Sequence, residues 1–147
     1  MKRNSRGFTL VEILIVVIIL GILAAIVIPQ FTNASNDARN NSVASTLQTL
    51  RGQIELYKIQ HGDTLPATGA ALMTALTTKT NTTGNAVAAD ATTGYFGPYV
   101  QTLPTNPING QTGIDGAAGA TIGWIYTSAN GGFTLQAVNA AGSILTY

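Results

Sequence analysis

The 147-residue sequence has no cysteine, one histidine and few charges: only 9% of its residues are Asp, Glu, Lys or Arg, against a usual share of about 25%. The missing cysteines exclude disulfide frameworks, thiolate zinc sites, iron–sulfur ligation and cysteine nucleophiles. A single histidine, His61, excludes a His-rich metal centre. A formal net charge of +1 leaves no strongly basic surface, so no nucleic-acid partner is expected. No phosphate-cradling loop or dinucleotide fingerprint occurs. His61 precedes Gly62 and reads as a solvated residue at a helix end, not a catalytic base. Asp90 and Asp115 could form an acid pair, but nothing in their spacing joins them. The chain is therefore not expected to be an enzyme or to need a cofactor.

The sequence does have a long apolar run. Residues 8–28 read FTLVEILIVVIILGILAAIVI, and 16 of the 21 are Leu, Ile, Val or Phe. As a helix this run is roughly 31 Å long, enough to cross a bilayer core of about 30 Å. Insertion is favoured by roughly 5–10 kcal/mol, more than the cost of about 3 kcal/mol for its one carboxylate, Glu12. Lys2, Arg3 and Arg6 lie before the run and no basic residue lies just after it. That asymmetry keeps the N-terminus cytoplasmic and exports the rest. A cleaved secretory signal fits poorly, because its apolar core is usually 7–15 residues. A plain anchor fits, but it does not account for Glu12. A lone carboxylate inside a span is a functional residue by default, although it could also snorkel to the headgroups.

Arg6-Gly7-Phe8-Thr9-Leu10-Val11-Glu12 and the apolar run behind it resemble the class III signal of type IV pilins and type II secretion pseudopilins. The resemblance extends to Gly21, Pro29 and the polar helix beyond. It implies a prepilin peptidase that cuts between Gly7 and Phe8, methylation of the new Phe8 terminus, and a role for Glu12 in assembly. The physics agrees with that last role. Cleavage would leave an ammonium on Phe8 in apolar surroundings, with Glu12 the carboxylate closest in depth. A buried pair of this kind fixes register more than it adds stability. The resemblance further implies a homopolymeric filament, lipid around the helix before assembly, and an inner-membrane assembly platform that extrudes it.

Beyond the anchor, Val43, Leu47, Leu50, Ile54 and Tyr57 recur at helical spacing and form one core-facing stripe. A single helix is expected from about residue 8 to about 61, with Gly62 as its C-cap. Pro29, and secondarily Gly21, predict a kink or local melting. The expected organisation is a leader at 1–7, a transmembrane and polymerisation half at 8–31, an amphipathic spine at 32–61 and a head at 62–147.

The head holds four charged residues against 17 Thr and 13 Gly. Residues 70–76 read as a short helix and 77–93 as an exposed loop. Residues 123–128, 133–138 and 143–147 read as three antiparallel strands, with Asn130-Gly131-Gly132 as a hairpin turn. Trp124, Tyr126 and Phe133 are expected in the core of that sheet. The fold class is thus α+β, a long helix packed on a small antiparallel sheet, and it resembles the pilin fold.

The segment GPYVQTLPTNPINGQ, residues 97–111, is most similar to major pseudopilins. The resemblance also implies calcium bound in the last loop by aspartates. Residues 138–147 contain no acidic residue and Asp115 is the only carboxylate after residue 90, so no metal site is expected. The subunit is expected in the inner membrane, single-pass, with an extracytoplasmic head. Two alternatives stay open: a type IV pilus or competence pilin, and a membrane-anchored binding module that never polymerises.

Overall fold

A computed structural model describes residues 7–88 and 93–145. Asp90 and the basic residues Lys2, Arg3 and Arg6 lie outside the described residues. The elements are α1 (Leu10–Gln60), α2 (Gly69–Thr77), β1 (Gly113–Asp115), β2 (Ile122–Ala129), β3 (Gly132–Val138) and β4 (Ile144–Leu145). The chain divides into two compact units, Met1–Ala38 and Arg39–Tyr147.

From Leu10 onward the first unit is helix. Its apolar side chains, from Leu10 through Phe31, are exposed. An 18-residue window of α1 has a mean hydropathy of 3.3 and none of it is buried, which is what a helix solvated by lipid requires. Helical structure is continuous through Gly21 and Pro29, so the local melting expected at Pro29 is not found in the single subunit. Pro29 can donate no backbone bond. Just beyond it, Thr32 Oγ1 donates to the Ile28 carbonyl at 3.0 Å.

The second unit is built on the stripe that periodicity predicted. Val43, Leu47, Leu50, Ile54 and Tyr57 are all buried. The first four meet Leu72 and Leu76 of α2 and Trp124, Tyr126 and Leu135 of the sheet in one core. Thr68 caps α2, its side chain accepting from the Ala71 amide. Gly69 is obligatory there, because a Cβ would lie 2.5 Å from the Ile114 carbonyl oxygen.

The sheet has four strands in the order β1-β2-β3-β4, not the three expected. β2 and β3 form the predicted hairpin, with Asn130 (φ 53°) and Gly131 (φ 74°) in its turn. Positive φ at both central residues matches the right-handed twist of the strands. β4 pairs antiparallel with the end of β3. The unexpected strand is β1, which runs parallel to β2. Parallel neighbours usually need a long crossover. Here β1 is only three residues, about 10 Å long, and the small residues 116–121 return the chain to its start.

His61 corrects the sequence reading: it is only 4% exposed, not solvated. Its ring stacks on Tyr57 with centroids 3.8 Å apart. Nδ1 lies 2.8 Å from the Tyr57 carbonyl and Nε2 lies 3.0 Å from Thr80 Oγ1. A carbonyl can only accept, so Nδ1 carries a proton, and the threonine hydroxyl partners Nε2. Thr80 is fully buried and bridges to Ala86 and Phe96, so part of the stretch read as an exposed loop is tied to the end of α1.

Tyr99 donates to Gln60 Oε1 at 2.7 Å and packs edge-on against Tyr57. Burial first, and Tyr57 second, push its phenol from 10.0 up to about 12. Burial also raises Tyr57 and Tyr126. The folded head therefore keeps protons that unfolded phenols release. Its stability is expected to be unaffected by these groups below pH 10.0 and to fall as pH climbs towards about 12. Melting temperature against pH checks this, and Tyr99→Phe should flatten the alkaline decline.

Candidate functional site: the start of the apolar helix

Three hydrogen bonds between Thr9 and Glu12 set the start of α1. Gly7, Phe8 and Thr9 are non-helical and exposed, and the helix begins at Leu10. Thr9 occupies the N-cap and Glu12 the third helical position, the T-x-x-E arrangement of a capping box. The Glu12 amide donates to Thr9 Oγ1 at 3.2 Å. Glu12 Oε2 accepts from the Thr9 amide at 2.7 Å and from Thr9 Oγ1 at 2.8 Å. Amide donors otherwise left unpaired at a helix N-terminus are satisfied in both directions, and the carboxylate sits at the positive end of the helix dipole.

Of the residues singled out from sequence, Glu12 is thus engaged by its own chain. Thr9 was missed as its partner, although the spacing carried the signal. Phe8 lies beside the box and is 82% exposed. In the uncut chain its nitrogen is a peptide amide, which carries no charge for Glu12 to meet. Gly7 has a φ outside the left-handed region, and a Cβ there would meet nothing within 4 Å. The fold places no demand on glycine at that position. Gly21 is likewise open, and leaves a notch on the helix where another helix can approach closely.

No comparable site exists elsewhere among the described residues. They hold no group of three or more His, Cys, Asp or Glu that could bind a metal. Asp115 Oδ1 accepts from the neighbouring Gly116 amide at 2.7 Å, and Asp90 is outside the described residues. Trp124 and Tyr126 are buried core residues, as expected, and Phe133 packs partly buried against the same cluster. They form no ligand platform.

A lipid-length helix opened by a glutamate capping box, leading into an α+β head, defines a protein of the type IV pilin class. A family model described as the prokaryotic N-terminal methylation motif matches residues 2–28. The chain is 34% identical over 110 residues to the type II secretion system core protein G of Klebsiella michiganensis, covering 75% of this chain and 72% of that one. It is 31% identical over 106 residues to the core protein G of Aeromonas hydrophila, covering 72% and 69%. With the core protein G of Dickeya chrysanthemi it shares 38% identity over 61 residues, which span 42% of this chain and only 40% of the relative. No solved structure matches. The chain belongs to the family of type II secretion core protein G, the major pseudopilins.

Proposed function

We propose that this chain is the structural subunit of a type II secretion pseudopilus, held in the inner membrane by α1 until it assembles. Similarity to core protein G that continues past the shared N-terminal motif into the head carries the choice of pseudopilus over type IV pilus. In this reading a prepilin peptidase cuts after Gly7, whose freedom from any fold constraint suits recognition by another protein. Phe8 becomes the methylated terminus. Its new ammonium pairs with Glu12 of a neighbouring subunit, taking over a carboxylate that the single subunit engages through Thr9. Gly21 lets neighbouring helices approach, and Pro29 supplies the point where the helix gives during packing. The anchor moves from lipid to a helical bundle at little hydrophobic cost, because one apolar surrounding replaces another. The three basic residues of the leader hold the N-terminus on the cytoplasmic side, and the head projects from the opposite face. The work is structural rather than enzymatic.

The mass of the protein extracted from membranes of a secretion-competent host tests the processing step. The expected species lacks residues 1–7 and carries one added methyl group. Full-length, unmodified protein in such a host sinks the reading. Because the chain has no cysteine, single cysteines placed along α1 then report assembly without background. Disulfide-linked ladders are expected only when the processed protein polymerises, and a membrane-anchored module that never polymerises gives none.

A further inference from the structure

The calcium that the family resemblance implies does not fit this head. Loops around residues 109–111, 118–120 and 139–142 surround a cleft of about 540 Å³ whose polar side chains are Asn109, Gln111 and Asn139, with alanine and glycine between them. Calcium takes about 6–8 oxygen ligands, usually including carboxylates, and no side chain lining this cleft carries a charge. Asp115 does not line it.

The oxygens nearest to that role are already turned onto N–H donors. Asn139 Oδ1 accepts from the Ala141 amide at 2.9 Å and the Ser143 amide at 2.8 Å, which uses both of its lone pairs. The Asn139 amide donates to the Ser143 carbonyl at 2.9 Å, and the Gly142 amide returns a bond to the Asn139 carbonyl at 3.0 Å. Across the cleft, Asn109 Oδ1 accepts from the Gln111 amide at 3.0 Å, and its Nδ2 donates to the Ile122 carbonyl at 2.9 Å. Below them Asn106 is fully buried. Its Nδ2 donates to the Gly123 and Val138 carbonyls at 2.8 Å each, and its Oδ1 accepts from the Ile108 amide at 2.9 Å. One side chain thus ties the 106–111 loop to the start of β2 and to the end of β3, where the last loop departs.

We propose that the asparagines Asn106, Asn109 and Asn139 close the C-terminal loops of this head in the place of a cation, so that the head is fully folded and stable without calcium. The amide serves where a carboxylate cannot. Asn106 must donate two bonds to carbonyls while accepting a third, which no ionised aspartate can do. The clasp is also uncharged, so it needs no counter-ion and brings no desolvation cost of a charge.

The test uses the full-length chain in detergent, with thermal unfolding followed by circular dichroism in calcium chloride and in a chelator. Wild-type protein is expected to melt at the same temperature in both, and calorimetric titration with calcium chloride to show no saturable heat. Asn139→Ala should lower the melting temperature by about 4–8 °C equally in both buffers. Asn139→Asp keeps the acceptor oxygen and should melt close to wild type. A wild-type melting temperature raised by calcium, or saturable calcium binding, overturns the proposal. So does an Asn139→Ala protein that melts like wild type, because the clasp then holds nothing. This test concerns the head alone and reads the same whether or not the subunit polymerises.

Discussion

Alanine at Glu12 is expected to abolish filament formation while leaving the precursor inserted and cut. Insertion becomes easier, since a carboxylate costing about 3 kcal/mol at depth is removed, and Gly7 and Phe8 are untouched. What fails is the packing of one processed subunit against the next. In the proposed filament each Phe8 ammonium would then enter an apolar bundle with no counter-charge, and stranding one partner of a buried pair costs about 3–5 kcal/mol. That is a factor of roughly 10²–10⁴ in each subunit's addition. Glutamine at Glu12 restores a hydrogen-bond acceptor but no charge, and should remain strongly defective. Thr9→Ala separates the two roles of the carboxylate. It removes the capping box, worth about 0.5–2 kcal/mol, yet leaves the acid in place, so filaments should become fewer, not vanish. Filament yield in shear fractions, scored by electron microscopy, measures all three. Normal filaments from processed Glu12→Ala subunits would refute the electrostatic account of assembly.

The second large effect is expected at Trp124. The side chain, on β2, is fully buried in the core that the sheet shares with the spine helix, and its indole Nε1 donates to the Pro104 carbonyl at 3.0 Å. Truncation to alanine costs about 3–5 kcal/mol in lost burial and residual cavity, and it leaves a carbonyl without its partner. A head of this size holds only about 5–15 kcal/mol in total, and no disulfide is available to limit the loss. Trp124→Ala should therefore unfold at much lower urea concentration and become protease-sensitive. Trp124→Phe keeps most of the volume and loses one hydrogen bond, a cost of about 0.5–1.5 kcal/mol for the bond itself. Denaturation followed by far-ultraviolet circular dichroism ranks the variants, and an unchanged midpoint for Trp124→Ala would show that the core does not depend on it.

Periodicity made the long elements legible. The five residues of the spine stripe are buried as their spacing required, because a one-sided helix leaves few ways to hide its apolar face. The β2–β3 hairpin was legible because Asn130-Gly131 is a turn with its own chemistry. β1 was not, since three residues carry no alternation and its partner strand lies six residues further on. His61 looked solvated because a histidine beside a helix-ending glycine usually is. Its burial depends on Thr80 and Phe96, 19 and 35 residues away, and no local pattern encodes that meeting. The capping box is written plainly in Thr9-Leu10-Val11-Glu12, but the apolar run around it makes burial the stronger expectation for that carboxylate.

Arg51 bears on what happens when many heads are crowded together. Among the described residues, β4 covers β3 at Ala137 and Val138, and residues 132–136 are paired on the β2 side alone. An uncovered strand edge invites stray pairing with a neighbouring chain. From the spine helix, Arg51 Nη2 donates to the Leu135 carbonyl at 2.7 Å, occupying an acceptor in the middle of that edge. The guanidinium acts as a gatekeeper: a foreign strand can zip onto this edge only by evicting it.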